Sequence, residues 1–339
     1  MAIGARLLVS LAAAATFVSG TALAGVRTAK PDTAGAILAL AEAGDTVVLA
    51  PGVYTGLRLR ERQFERPLTI DARKAIFMGF VATTVNGLII QGGEFRLPPP
   101  RYDERKRATD FGVAVRMQRV NHVTLRGATF SGPGTPAEAA EPKFGEGFGL
   151  IVDQSSDVEI SDGTFRGLVT GVMMRRIEGF KVLRNTFRYM RSDGIQVSES
   201  HRGSIEENSC RLTRIRDAEH PDCIQLWSHP SSPPTADIVI RRNSAEGYMQ
   251  GIGMFNHIRN GVDDGGFDRI LIEENDIAIS FVHGIAMNAS RDSIVRNNRV
   301  RTLPNAKYRA SINVDAGARR CGNVVQHGGG KPGVKDKPC

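Results

Sequence analysis

Apolar residues alternate with polar ones in runs of three to five, and each run closes on a small or amide residue. A period of two in such short runs, with Gly and Asn at the corners, predicts β-strands rather than helices. In register the runs include Leu88-Ile89-Ile90 to Gly93, Val158-Glu159-Ile160 to Gly163, Phe180-Lys181-Val182 to Asn185, Gly203-Ser204-Ile205 to Asn208 and Ile238-Val239-Ile240 to Asn243. They continue to Asn275 and Asn298, so that from Asn185 onward the closing slot is always asparagine. The asparagine spacings are 23, 35, 32 and 23, one unit of 23 with insertions of 12 and 9.

A second strand follows in each unit: Gly194-Ile195-Gln196-Val197, Cys223-Ile224-Gln225-Leu226, Gly251-Ile252-Gly253-Met254, Gly284-Ile285-Ala286-Met287 and Ser311-Ile312-Asn313-Val314. A repeat of this size is one solenoid turn. Stacked turns lie ~4.8 Å apart, as parallel strands do, which turns equivalent residues into vertical files. The isoleucines then face inward as core, and the asparagines form a ladder that satisfies corner backbone groups.

These residues resemble the right-handed parallel β-helix superfamily that includes pectate lyases, polygalacturonases and alginate-modifying enzymes, over about Asp32 to Asn323. The fold implied is all-β, a single-stranded right-handed parallel β-helix with a short N-terminal capping helix at Ala34 to Leu40. Ala43 to Tyr54 resembles the usual first coil of that superfamily. Residues 25–325 form the β-helix domain and 326–339 a basic, frayed tail.

Residues 1–24 read as an export signal: Arg6 carries the charge, Leu7 to Val18 the apolar stretch, and Ala22-Leu23-Ala24 the cleavage site. No later run of ~20 apolar residues is long enough to span a bilayer, so a secreted or periplasmic monomer is expected, without membrane insertion. Across 339 residues the net charge is +8, with 41% apolar and 6% aromatic residues, which excludes a disordered chain. For an exported protein the positive balance favours an acidic polysaccharide over nucleic acid. Four cysteines in an oxidising compartment allow disulfides. Cys321 and Cys339 are the expected pair, Cys210 reads as a buried thiol in a file of Phe and Ala, and Cys223 stays open.

The files locate candidate chemistry. Two residues before each inward isoleucine stand Asp193, Asp222, Gln250 and His283, and Gln196 and Gln225 lie beside them on the outward side. Such corner residues either cap turns or form a site. His220, Asp222, Gln225 and the only tryptophan, Trp227, fall within eight residues, and insertions gather around this strand. Long insertions on a regular solenoid are usually functional. Trp227 and Phe255, one coil apart, either make a sugar-stacking platform or pack beneath Pro230 to Pro234.

The file also resembles the polygalacturonase pattern, through Asp193-Gly194-Ile195, Asp222-Cys223-Ile224 and His283-Gly284-Ile285. That resemblance implies an inverting glycoside hydrolase using Asp193 and Asp222. Ser192 and Pro221 depart from it, and His283 falls two coils beyond Asp222, ~10 Å along the axis. The preferred expectation is therefore β-elimination or C5 epimerisation of a uronic-acid-containing polysaccharide. Gln196, Gln225 and Gln250 would bind the sugar carboxylate by hydrogen bonds and Arg211, Arg214 or Arg216 as a bidentate pair. His283 or His220 would be the base. No cofactor is required; Asp263-Asp264 with Asp268 reads as either a calcium site or a solvated loop. No Cys or His cluster has zinc-ligand spacing. A non-catalytic carbohydrate-binding or surface protein is the remaining class.

Overall fold

Each coil carries three strands, one more than the alternation predicts. Thr170–Leu183 bends at Arg176 (φ 56°) and supplies a strand to two sheets, Thr186–Arg188 adds a third, and Ile195–Ser198 opens the next coil. This computed structural model describes residues 24–99, 101–103, 108–132, 145–212, 221–228, 234–256, 265–328 and 333–339. The export signal lies outside the described residues apart from its last position. We call the sheet built by the asparagine-closed runs the first, that of the isoleucine strands the second, and that of the short intervening strands the third.

The expected register of the inward isoleucines holds in the second sheet. Ile195, Ile224, Ile252, Ile285 and Ile312 pair in turn, and all are buried. The third sheet escaped the periodicity because each of its early strands buries one residue only. Those residues are Phe95, Phe130, Phe165 and Phe187, which with Phe77 form a continuous stack with centroids 4.3 to 5.1 Å apart. Stacked pairs of this kind contribute ~0.5–1.5 kcal/mol each beyond area burial.

The asparagine ladder forms and runs one rung further than the repeat indicated. Each Nδ2 donates to the Oδ1 of the next asparagine, from Asn185 through Asn208, Asn243, Asn275 and Asn298 to Asn323, at 2.9 to 3.1 Å. Each Oδ1 also accepts the preceding asparagine's backbone N–H, and each Nδ2 reaches a carbonyl one coil back, as Asn243 reaches Ile205. The last rung ends on Asp336, 2.8 Å from Asn323 Nδ2. The tail is therefore docked rather than frayed: Val334–Lys335 pairs antiparallel with Val324–Gln326, and Cys321–Cys339 closes it as expected.

Charged files at the coil corners alternate in sign. Glu206, Arg241, Glu273 and Arg296 follow one another in successive coils, with contacts of 2.7, 3.7 and 2.6 Å. Beside them Arg184 meets Asp162 at 2.7 Å and Arg242 meets Glu207 at 2.9 Å.

Cys210 is not a free thiol: it is bonded to Cys223. Cys210 succeeds Phe187 in the ring file, and Cys223 stands in a file of glycines, Gly171, Gly194, Gly251 and Gly284. Those glycines face the large inward residues; a Cβ on Gly171 would lie 2.6 Å from the Phe187 ring. Where the ring gives way to a cysteine, the facing slot admits a Cβ, and the bridge takes the vacated space.

At the N-terminal end, Ala34–Ala39 forms the capping helix, with Ala34 and Leu38 buried. Asp45 anchors the chain beside it, accepting the backbone N–H groups of Gly25 (2.7 Å) and Glu42 (3.0 Å) and facing Arg27 (3.2 Å). The two backbone hydrogen bonds, aided by Arg27, hold its carboxyl below the usual aspartate range.

Two predictions follow from these contacts. Asn243→Ala leaves the Asn208 N–H and Nδ2 and the Ile205 carbonyl without their partner, and should cost about 3 kcal/mol or more in denaturant unfolding; a loss below about 1 kcal/mol would contradict the ladder's role. Asp45 has a depressed folded pKa, so its stabilisation is present above the unfolded pKa and disappears as pH falls through the folded one. Thermal unfolding across the acid range should accordingly show a smaller decline for Asp45→Asn than for the wild type, from a lower starting stability.

Candidate functional site

The outward face of the second sheet gathers most of the residues singled out in the sequence. Asp222 pairs with Gln250 across the coils, Gln196 with Gln225, and Trp227 with Phe255. Asp193 occupies the corner one coil earlier, where its Oδ1 accepts the backbone N–H of Asp222 at 3.1 Å. That is a turn-capping role.

A hydrogen-bond chain ties the centre together. Gln225 Nε2 donates to Asp222 Oδ2 at 3.0 Å, and Gln225 Oε1 accepts from Gln196 Nε2 at 3.2 Å and from Trp227 Nε1. Both ends of the Gln225 amide are matched by groups of fixed role, a carboxylate acceptor and an indole donor, so its orientation is determined. The other Asp222 oxygen lies over Gly253. A Cβ there would stand 2.8 Å from Asp222 Oδ1 and 2.7 Å from the Phe255 ring, so only glycine leaves room for both.

Burial separates the roles of these groups. Asp222 is 0% exposed and Asp193 and Gln225 are buried, so the two carboxylates offered as a catalytic pair do not face solvent. Gln250 is also buried, and among the described residues its Oε1 has no hydrogen-bond partner. His283, Trp227, Phe255 and Gln196 are half-buried and reach the surface. The rings form a row, Trp227 to Phe255 at 6.4 Å and Phe255 edge-on to His283 at 5.8 Å and 70°. A bulge between His283 and Ile285 interrupts pairing with the next coil, a device that re-aims a side chain.

His220, Arg214 and Arg216 lie outside the described residues, as do Asp263 and Asp264. Arg211 does not join the site: it stands on the third sheet and pairs with Glu246 at 2.8 Å. Asp268 is engaged by Arg291 at 2.5 Å. Among the described residues no cluster of His, Cys, Asp or Glu is arranged to hold a metal ion.

Two features were given no role from the sequence, although Arg175 falls in the file of Trp227 by residue counting. Arg175 stands in the same outward file as Trp227, two coils earlier, and with Arg176 it holds Asp153 at 3.1 and 2.9 Å. Burial pushes the Asp153 carboxyl up, but hydrogen bonds from the two guanidiniums outweigh it and keep it below its usual range. Glu199 also acts on Arg175, so the two arginines stand among two carboxylates at that end of the sheet. On the corners before the second-sheet strands, Tyr248 (52% exposed) and Tyr308 (42%) reach solvent, and the Phe281 ring lies 6.3 Å from that of Tyr308. An aromatic two residues before Gln250 and again before His283 was the available signal.

No family model matches the chain, and no curated protein matches it in sequence. Solved structures do resemble it. An alginate lyase from Paenibacillus sp. str. FPU-7 aligns with TM-score 0.56 and 16% identity, over 90% of this chain and 98% of that one. A tailspike protein of E. coli bacteriophage HK620 aligns with TM-score 0.54 and 12% identity, over 84% of this chain and 56% of that one. The Dettilon tailspike aligns at 0.50 and 14%, over 88% and 61%. At such identities the likeness defines the fold: the chain is a right-handed parallel β-helix. Among the described residues no helix is long and apolar enough to cross a membrane.

Trp227 is the sole tryptophan, so its fluorescence reports on the hydrogen-bond chain. Asp222→Asn and Gln225→Leu should each shift the emission maximum while far-ultraviolet circular dichroism stays that of the wild type; an unchanged spectrum in both variants would show that the chain does not hold the indole.

Proposed function

We propose that this protein is a carbohydrate-active enzyme that acts on an anionic, uronic-acid-containing polysaccharide by β-elimination, or by C5 epimerisation through the same carbanion. The observation that carries the reading is the ring row Trp227, Phe255 and His283 on the outer face of the second sheet, set over the buried Asp222–Gln225 link. The likeness in fold to an alginate lyase supports it.

Elimination needs a base for the proton alpha to the carboxylate, neutralisation of that carboxylate, and a proton for the leaving oxygen. His283 is the accessible base, of a residue type that titrates near neutral pH. In a syn elimination one imidazole suffices: it takes the C5 proton and delivers it to the departing O4 on the same face as the C4–O4 bond breaks and the C4–C5 double bond forms. Epimerisation instead requires a second group to return a proton to the opposite face of C5. Gln196 and the Arg175–Arg176 pair offer hydrogen-bond donors to the uronate chain, and Trp227 and Phe255 offer sugar-stacking surfaces. Asp222, sealed from water, acts as a positioning residue for Gln225 and, through it, for Trp227.

The same burial weighs against an inverting hydrolase. Such an enzyme needs two carboxyl groups that reach the bond from ~6.5 to 9.5 Å apart, whereas Asp193 caps a backbone N–H and Asp222 is enclosed.

Incubation with a panel of polyuronates should yield products with the ultraviolet absorbance of unsaturated uronates, and His283→Ala should lower kcat at least ~100-fold with the fold intact. Wild-type turnover in that variant would remove His283 from the reaction. New reducing ends without the absorbance would mean hydrolysis, C5 inversion without cleavage an epimerase, and binding without any of these a binding protein.

A further inference from the structure

The third sheet carries a file that breaks the rule kept elsewhere. Arg166 pairs with Arg188 and Arg188 with Arg211, placing three arginines in consecutive coils, ~4.8 Å from one to the next. Like charges directly opposite in a sheet are destabilising, and the corner files of this protein avoid them by alternating Glu with Arg. Only Arg211 has an acidic partner, Glu246 at 2.8 Å; Arg166 and Arg188 have none among the described residues. The neighbouring file is equally repetitive: Thr129, Thr164, Thr186, Ser209 and Ser244 present hydroxyls in successive coils. At one end the strip opens into a cavity of ≈ 360 Å³ bordered by Arg188, Ser209, Arg211, Ser244, Glu246 and Arg301. There Glu246 is neutralised by Arg211 and Asp276 by Arg301 (3.0 Å), so the unbalanced charge is that of Arg188.

We infer that this strip is a second binding surface, separate from the ring row of the second sheet, for a carboxylated polysaccharide lying along the solenoid axis. Guanidinium groups bind carboxylates bidentately, and the hydroxyl file offers partners for sugar hydroxyls at the same coil spacing. The repulsion among the arginines is relieved when carboxylates lie between them. A nucleic acid fits less well: its phosphates bring one charge per ~1.7 Å of duplex, far denser than the one arginine per coil of the strip, ~4.8 Å apart. The proposal does not require the second sheet to be catalytic, so the two readings fail separately.

Affinity electrophoresis of the full protein in gels containing alginate, with dextran as the neutral control, tests it. Alginate should retard the wild type, and Arg166→Ala/Arg188→Ala should bind at least ~10-fold more weakly, the equivalent of about one charge-assisted hydrogen bond. Arg166→Lys/Arg188→Lys should keep part of the affinity, since lysine retains the charge and loses the bidentate fork. Failure of alginate to retard the wild type would overturn the inference. So would binding by the folded double alanine variant within ~2-fold of wild type, or equal retardation of the wild type by double-stranded DNA.

Discussion

In a parallel stack the nearest neighbour of a side chain across the sheet is its own counterpart in the next coil, ~4.8 Å away. Every file must therefore be made of residues that tolerate repetition, and this constraint governs the molecule. Asparagine meets it completely, because each amide both donates and accepts, so identical residues satisfy one another inside a core where an unmatched polar group is costly. Phenylalanine meets it by stacking. A charge cannot repeat without cost, and the corner files alternate Glu with Arg for that reason.

The same constraint explains the departures. Where the phenylalanine file ends at Cys210, the facing glycine file takes a cysteine in the same coil, and the disulfide occupies the freed space. On the second sheet the outward file repeats only at Gln196 and Gln225, which pair with each other, and then breaks at Gly253. In the next file, Trp227 and Phe255 share ring character without identity. Regular repetition builds the scaffold; its interruption beside Asp222 and His283 creates a surface that differs from coil to coil. The arginine file of the third sheet is an interruption of another kind, a repetition of charge that the protein alone does not balance.

Much of the fold was legible because strand period, corner residues and unit length are local properties that survive without knowledge of contacts. The asparagine ladder, the inward isoleucines and the alignment of Asp222 with Gln250 all follow from counting residues per coil. The third sheet was not legible, since a three-residue strand burying a single phenylalanine has no period to detect. For the site, the files brought Asp193, Asp222, Gln225, Gln250, Trp227, Phe255 and His283 to one face, yet Arg211 went to another because strand assignment at its insertion depended on the unseen third sheet.

By itself, then, the sequence determined the winding, the register and the membership of the files on the first two sheets, since these depend on spacing along one chain. Only the tertiary structure decided which members reach water and which way their hydrogen bonds run. Asp222 and His283 occupy equivalent corners, but one is enclosed beneath its neighbours and the other lies half open beside Phe255. That difference comes from packing between coils, where the missing side chain of Gly253 and the rings around it set the depth of each group, and no spacing within a single coil encodes it.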